Sequence, residues 1–119
     1  MYRYHFDKAR NLLDISWSGL FAQGTVVEYG KAIWADFHRH GFRQGYRLLI
    51  DMSGSNIQPQ HNLAHFRAQF ADFPKASRIA VVTQSALHRL QILREMPQPY
   101  LRVLPSRGAA LNWVLHGVE

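Results

Sequence analysis

Six residues near the middle of the chain are suited to holding a ligand or a partner: Asp51, Ser53, Gly54, Ser55, Asn56 and His61. They follow the apolar run Leu48-Leu49-Ile50 and precede a helical pattern that begins after Pro59. In open α/β sheets ligands collect beyond the carboxyl ends of strands. Free backbone N–H groups and the dipole of the next helix favour an anion there. The stretch Asp51 to His61 is therefore the candidate interaction or anion-binding loop. The same side chains have a plainer use, because Asp, Ser and Asn readily satisfy the backbone of their own loop.

Other spacings point to less. His61 and His65 stand four apart, which on a helix can suit a metal. Asn62, however, occupies the place of the glutamate in H-E-x-x-H, and a third ligand would have to come from Asp51, His88 or His116. No metal and no cofactor is expected. The stretch His38 to Arg47 holds three arginines and two histidines interleaved with Phe42 and Tyr46, as in some nucleic-acid surfaces. Gly41 and Gly45 break any regular face there, and cations closing a helix end account for the pattern more simply. Asp36 and His40, four apart, read as a helix-surface pair. No G-x-S-x-G, P-loop or G-x-G-x-x-G occurs, and there are no cysteines. That absence excludes thiol nucleophiles, disulfides and iron–sulfur or cysteine-zinc sites. An enzyme is not expected.

The elements that must position these residues follow from periodicity. Tyr2, Tyr4 and Phe6 alternate with Arg3 and His5, and Leu13, Ile15 and Trp17 alternate with Asp14 and Ser16. Two half-buried strands joined by a short turn predict an antiparallel hairpin, ended by Ser18-Gly19. Thr25 with Glu28 reads as a capping box opening a helix of about four turns, its buried stripe being Val26, Gly30, Ile33 and Phe37 with Val27 and Trp34 beside them. Gly41 closes it. Tyr46–Met52 reads as a strand covered on both faces, followed by a loop from Ser53. A second helix carries Leu63, Phe66, Phe70 and Phe73 and stops at Pro74. Arg78–Thr83 is another buried strand. Ser85 caps a third helix with Leu87, Leu90 and Leu93 inward, ended by Pro97 and Pro99. Leu101–Leu104 is a last strand, and Ser106 caps a final helix that buries Ala110, Trp113 and Val114. The order β-β-α-β-α-β-α-β-α predicts an α/β fold: a mixed, mostly parallel five-stranded sheet with one antiparallel edge and four helices.

The 119 residues suffice for one domain, 1–119, and 47% hydrophobic content excludes a disordered tail. The formal charge of +6 divides evenly: each part, 1–50 and 51–119, holds seven Lys/Arg and four Asp/Glu, with no basic arm. That spread disfavours nucleic acid and favours an acidic protein partner steered by charge. No apolar run approaches the roughly 20 residues needed to span a bilayer, and the N-terminus carries no signal-peptide pattern. A cytoplasmic protein without a transmembrane segment is expected.

The segments Leu48-Leu49-Ile50-Asp51-Met52-Ser53-Gly54, Arg78-Ile79-Ala80-Val81-Val82 and Leu101-Arg102-Val103-Leu104, followed by Ala109-Ala110 and Trp113, resemble the STAS superfamily. They are most similar to its SpoIIAA-like (STAS/SEC14-type) small bacterial domains, over nearly the whole chain. The resemblance implies a stand-alone regulatory or protein-interaction domain. In anti-sigma-factor antagonists a phosphorylated serine opens the helix after the strand-ending Asp. Here that stretch is Pro59-Gln60-His61-Asn62, without serine or threonine, which argues against a phosphorylation switch. The expected function is a non-enzymatic interaction domain that uses the loop from Ser53 and the start of the second helix as contact surface, with a homodimer as one form of contact. The alternative is a small-ligand protein that holds an anion or, as SEC14-type relatives imply, a lipid against aromatics such as Trp34, Phe66, Phe70 and Phe73.

Overall fold

The computed structural model describes residues 2–19, 23–55, 74–96 and 98–118, of which 23–27 and 55 by backbone alone. In chain order the elements are β1 (Tyr2–Asp7), β2 (Leu12–Gly19), α1 (Gln23–Arg39), β3 (Arg47–Ser55), β4 (Arg78–Val82), α2 (Ala86–Glu95), β5 (Leu101–Leu104) and α3 (Arg107–His116). The five strands form one sheet in sequence order. β1 pairs antiparallel with β2, and every other neighbouring pair is parallel. The expected mostly parallel sheet with one antiparallel edge is therefore present, with three helices among the described residues. The expected helix over Leu63–Phe73 lies outside them, as do Asn56, His61 and His65.

The apolar centre of β3 sorts by alternation onto two faces. Leu48, Ile50 and Met52 join Leu13, Ile15, Trp17, Ile79 and Val81 beneath Tyr29, Ile33 and Phe37 of α1 and Ile92 of α2. Leu49 turns the other way, with Leu12, Ala80 and Val82, beneath Ala110 and Val114 of α3. The first face carries an aromatic ladder. Tyr2, Trp17 and Tyr29 meet at ring separations of 4.6–5.3 Å, and Phe6 packs on Phe42 and stacks on His40, both at 4.9 Å.

Strand ends differ from the sequence reading. Ser18-Gly19 and Ser53-Gly54-Ser55 are not breaks; they extend β2 and β3, pairing Ser18 with Gly54 and Gly19 with Ser55 beyond an irregularity between Ser16 and Ser18. A Cβ on Gly54 would lie 3.3 Å from Ser18 Cβ, so a residue without a side chain lets the bulged strands approach. α1 starts at Gln23, so Thr25 lies inside the helix rather than at its cap. Helical backbone continues through Gly24 because local capping preference is a weak prior beside tertiary packing. Gly41 closes α1 with φ +74°, while Phe42 N–H donates to Phe37 O at 3.0 Å, the C-terminal geometry that favours glycine.

The largest correction concerns α2. Its buried residues are His88, Ile92 and Glu95; Leu87 and Leu90, expected inward, are 65% and 62% exposed. The rotation of the helix is set at its start. Ser85 N–H donates to Thr83 Oγ1 at 3.3 Å, Ser85 Oγ caps His88 N–H at 3.1 Å, and Thr83 Oγ1 lies 3.3 Å from His88 Nδ1. These contacts turn His88, and with it the i+4 and i+7 positions, toward the sheet. Trp34 is likewise 44% exposed rather than part of a buried stripe.

His88 is fully buried, and its Nε2 meets no hydrogen-bond partner among the described residues. Burial lowers its pKa below the ordinary 6.5. As pH falls through that value the unfolded chain binds a proton that the folded chain refuses. Stability must then fall, by at most about 1.4 kcal/mol per pH unit, until the lower folded pKa is reached. His88→Asn, which keeps a polar partner for Thr83, is expected to flatten this part of the acid limb. Urea unfolding at a series of pH values from about 7.5 to 5.5 measures it. A slope unchanged in the variant would assign the acid sensitivity to other groups.

Candidate functional site

α3 packs on β3, β4 and β5, so it covers only part of its face of the sheet. Among the described residues no helix packs on the remainder, over β1 and the part of β2 beyond Leu12, where alternation has placed polar residues. Register aligns Arg3 of β1 with Ser16 of β2 and Asp51 of β3, and His5 with Asp14 one row away. Two adjoining concavities of about 330 and 510 Å³ open there and share Arg3, Ser16 and Asp51. The first continues past Ser18 to Ser53 and Gly54, and the second ends at His5, Asp14 and Arg107.

Arg107, in the first turn of α3, closes the strip. Its guanidinium hydrogen-bonds Asp14, and its other terminal nitrogen lies 3.6 Å from Asp51 Oδ2. A cation in the first helical turn opposes the helix dipole; the two carboxylates offset that. The hydrogen bond to Asp14 raises the pKa of Arg107 above its ordinary value, so it stays charged. Asp51 also accepts from Ser53 N–H at 3.0 Å and from the Ser53 hydroxyl. The plainer use of these side chains, satisfying their own backbone, is therefore realised at Asp51 and Ser53. Among the described residues the hydrogen bonds of Ser53 run to Asp51, and no three His, Asp or Glu side chains gather as a metal set. His88 is buried in α2 and His116 exposed at the end of α3, apart from Asp51.

Of the expected site residues, Asp51, Ser53 and Gly54 come together on this face, and Ser55 follows them in β3. Asn56 and His61 lie outside the described residues. The sequence reading missed Arg3, His5, Asp14, Ser16 and Arg107. Two signals pointed to them: a row of polar residues opposite the aromatics of β1 and β2, and an arginine directly after the N-cap Ser106. Asp36, read as a partner of His40, instead accepts from the Tyr4 hydroxyl and from Arg39. Burial, with that hydrogen bond, pushes the Tyr4 pKa up to about 12.

Compared with models of known protein families and with curated proteins, the chain finds no match in either. No helix among the described residues is long and apolar enough to cross a membrane.

Proposed function

We propose that the chain is a non-enzymatic, STAS-like interaction domain that binds an acidic protein surface through the polar strip over β1 and β2. The observation that supports this reading is the strip itself, on which no described helix packs: Asp51 and Ser53 line it, and the exposed Arg3 makes no ion pair with any described residue. An acidic group reaching the exposed Arg3 meets complementary charge, and the overall +6 steers its approach. Pro59-Gln60-His61-Asn62, the stretch where anti-sigma-factor antagonists carry their phosphorylated serine, has no serine or threonine, so partner exchange would be governed by affinity and salt.

The test compares partner capture by the wild-type chain with capture by Ser53→Arg, whose long side chain fills the first concavity, and by Arg89→Ala on the exposed side of α2 as control. The expected result is a partner retained by the control, lost with Ser53→Arg, and weakened by salt. A partner held equally by all three, or none at any salt concentration, overturns the reading. The concavities also favour a second reading, a small anion, since their volumes fall in the range of ligand sites. Native mass spectrometry distinguishes the two: an added mass on the purified chain supports the anion, and a bare chain mass counts against it.

A further inference from the structure

The two edges of the sheet are unequal. β5 has four residues flanked by Pro99 and Pro105, which protects that edge from further pairing. β1 has six residues, contains neither proline nor glycine, and is rich in aromatics that favour strands. Among the described residues it is paired only on its β2 side, and no described strand pairs with the other row of its N–H and C=O groups.

The sequence of β1 is self-complementary in one register. Residues directly opposed across an antiparallel pair point to the same face. A copy of β1 that keeps the faces aligned must therefore set aromatic against aromatic. With the two-fold axis at His5, Tyr4 opposes Phe6 of the second copy and Arg3 opposes its Asp7, and symmetry repeats both pairs. Shifting the axis to Tyr4 opposes Arg3 with His5, and shifting it to Arg3 opposes that cation with itself. Shifting it to Phe6 leaves only three overlapping strand residues. Both charged partners are accessible. Arg3 is exposed, and the Asp7 carboxylate, which accepts from Arg10 N–H at 3.2 Å and Nε–H at 2.7 Å, keeps acceptor positions free.

We infer that a second copy of this chain pairs antiparallel along β1 about a two-fold axis at His5, joining two five-stranded sheets into one of ten strands. The two polar strips then adjoin on one side of the extended sheet. The pairing is argued from β1 alone; it draws on Arg3, which also lines the strip, and its test needs no partner for the strip.

Sedimentation equilibrium of the full chain at low salt tests it, with the expected mass twice 13.8 kDa. Arg3→Asp sets like charges opposite each other and is expected to weaken the dimer by roughly tenfold or more. Adding Asp7→Arg is expected to restore it, and Arg3→Lys is expected to retain it, which keeps the test decisive if the Asp7 variant fails to fold. Circular dichroism checks that each variant is folded. A monomer at every concentration overturns the inference. So does a dimer that survives Arg3→Asp but dissociates with Leu90→Glu, because association would then run through the exposed leucines of α2.

Discussion

Shortening Leu49 to alanine should cost about 3 kcal/mol of stability, and shortening Ile50 about the same. The two residues are adjacent in β3, yet they serve different cores. Ile50 is buried beneath α1 and α2, and Leu49 beneath α3 with Ala110 and Val114. A sheet packed on one face would make one of the two substitutions nearly neutral. Each truncation removes apolar contact and leaves a cavity in a close-packed interior, which is why the cost exceeds simple transfer. Domains of this kind are stable by about 5–15 kcal/mol in all, so the double variant is expected to be close to unfolded. Leu90→Ala, at a residue 62% exposed, should stay within about 0.5 kcal/mol of wild type. Urea unfolding of the three single variants reads all of this. A cost below about 1 kcal/mol for Leu49→Ala would mean that α3 does not pack on the sheet as described.

The second large effect falls on the polar strip. Arg107→Ala leaves Asp14 and Asp51, whose side chains are only 16% and 19% exposed, facing each other without their cation. Exposed ion pairs contribute about 0.2–1 kcal/mol, whereas breaking buried ones costs about 3–5. This half-exposed arginine serving two largely covered carboxylates should fall between, near 2 kcal/mol. Asp14→Asn alone should cost less, because Arg107 keeps Asp51. In a double-mutant cycle the two substitutions should be coupled by about 1 kcal/mol. Additive single effects would show that the contact carries no net energy. Arg107→Lys is expected to recover only part of the loss, since a point charge cannot serve two carboxylates as a planar guanidinium does.

Much of the fold was legible because the chain announces its periodicities. Tyr2, Tyr4 and Phe6 alternate, Leu48-Leu49-Ile50 runs unbroken, and Ser85, Ser106 and Gly41 punctuate the helices. Each acts within a few residues, so each could be read without knowing the rest of the chain. Several readings failed because local signals compete weakly with tertiary ones. Thr25 resembled a cap, but helix could continue through it. Ser53-Gly54 resembled a loop, but β2 offered a partner strand. Leu87 and Leu90 resembled a core stripe, but the contacts of Thr83 and Ser85 with His88 fixed the rotation of α2.

The candidate site divides in the same way. Asp51, Ser53 and Gly54 could be named from their place after a buried strand. Arg107 lies 93 residues from its Asp14 partner, and no spacing rule links them. Nor could the sequence say that α3 would pack on β3 to β5. By itself the sequence determined the element types, the two-faced core of β3, the even spread of charge and the absence of thiol chemistry, since composition and short-range periodicity act through the local backbone and the solvent. Only the tertiary structure decided which polar residues share a face, which leucines are outward and which sheet edge is free. Those outcomes depend on strand register and helix placement, which bring together groups that are distant along the chain.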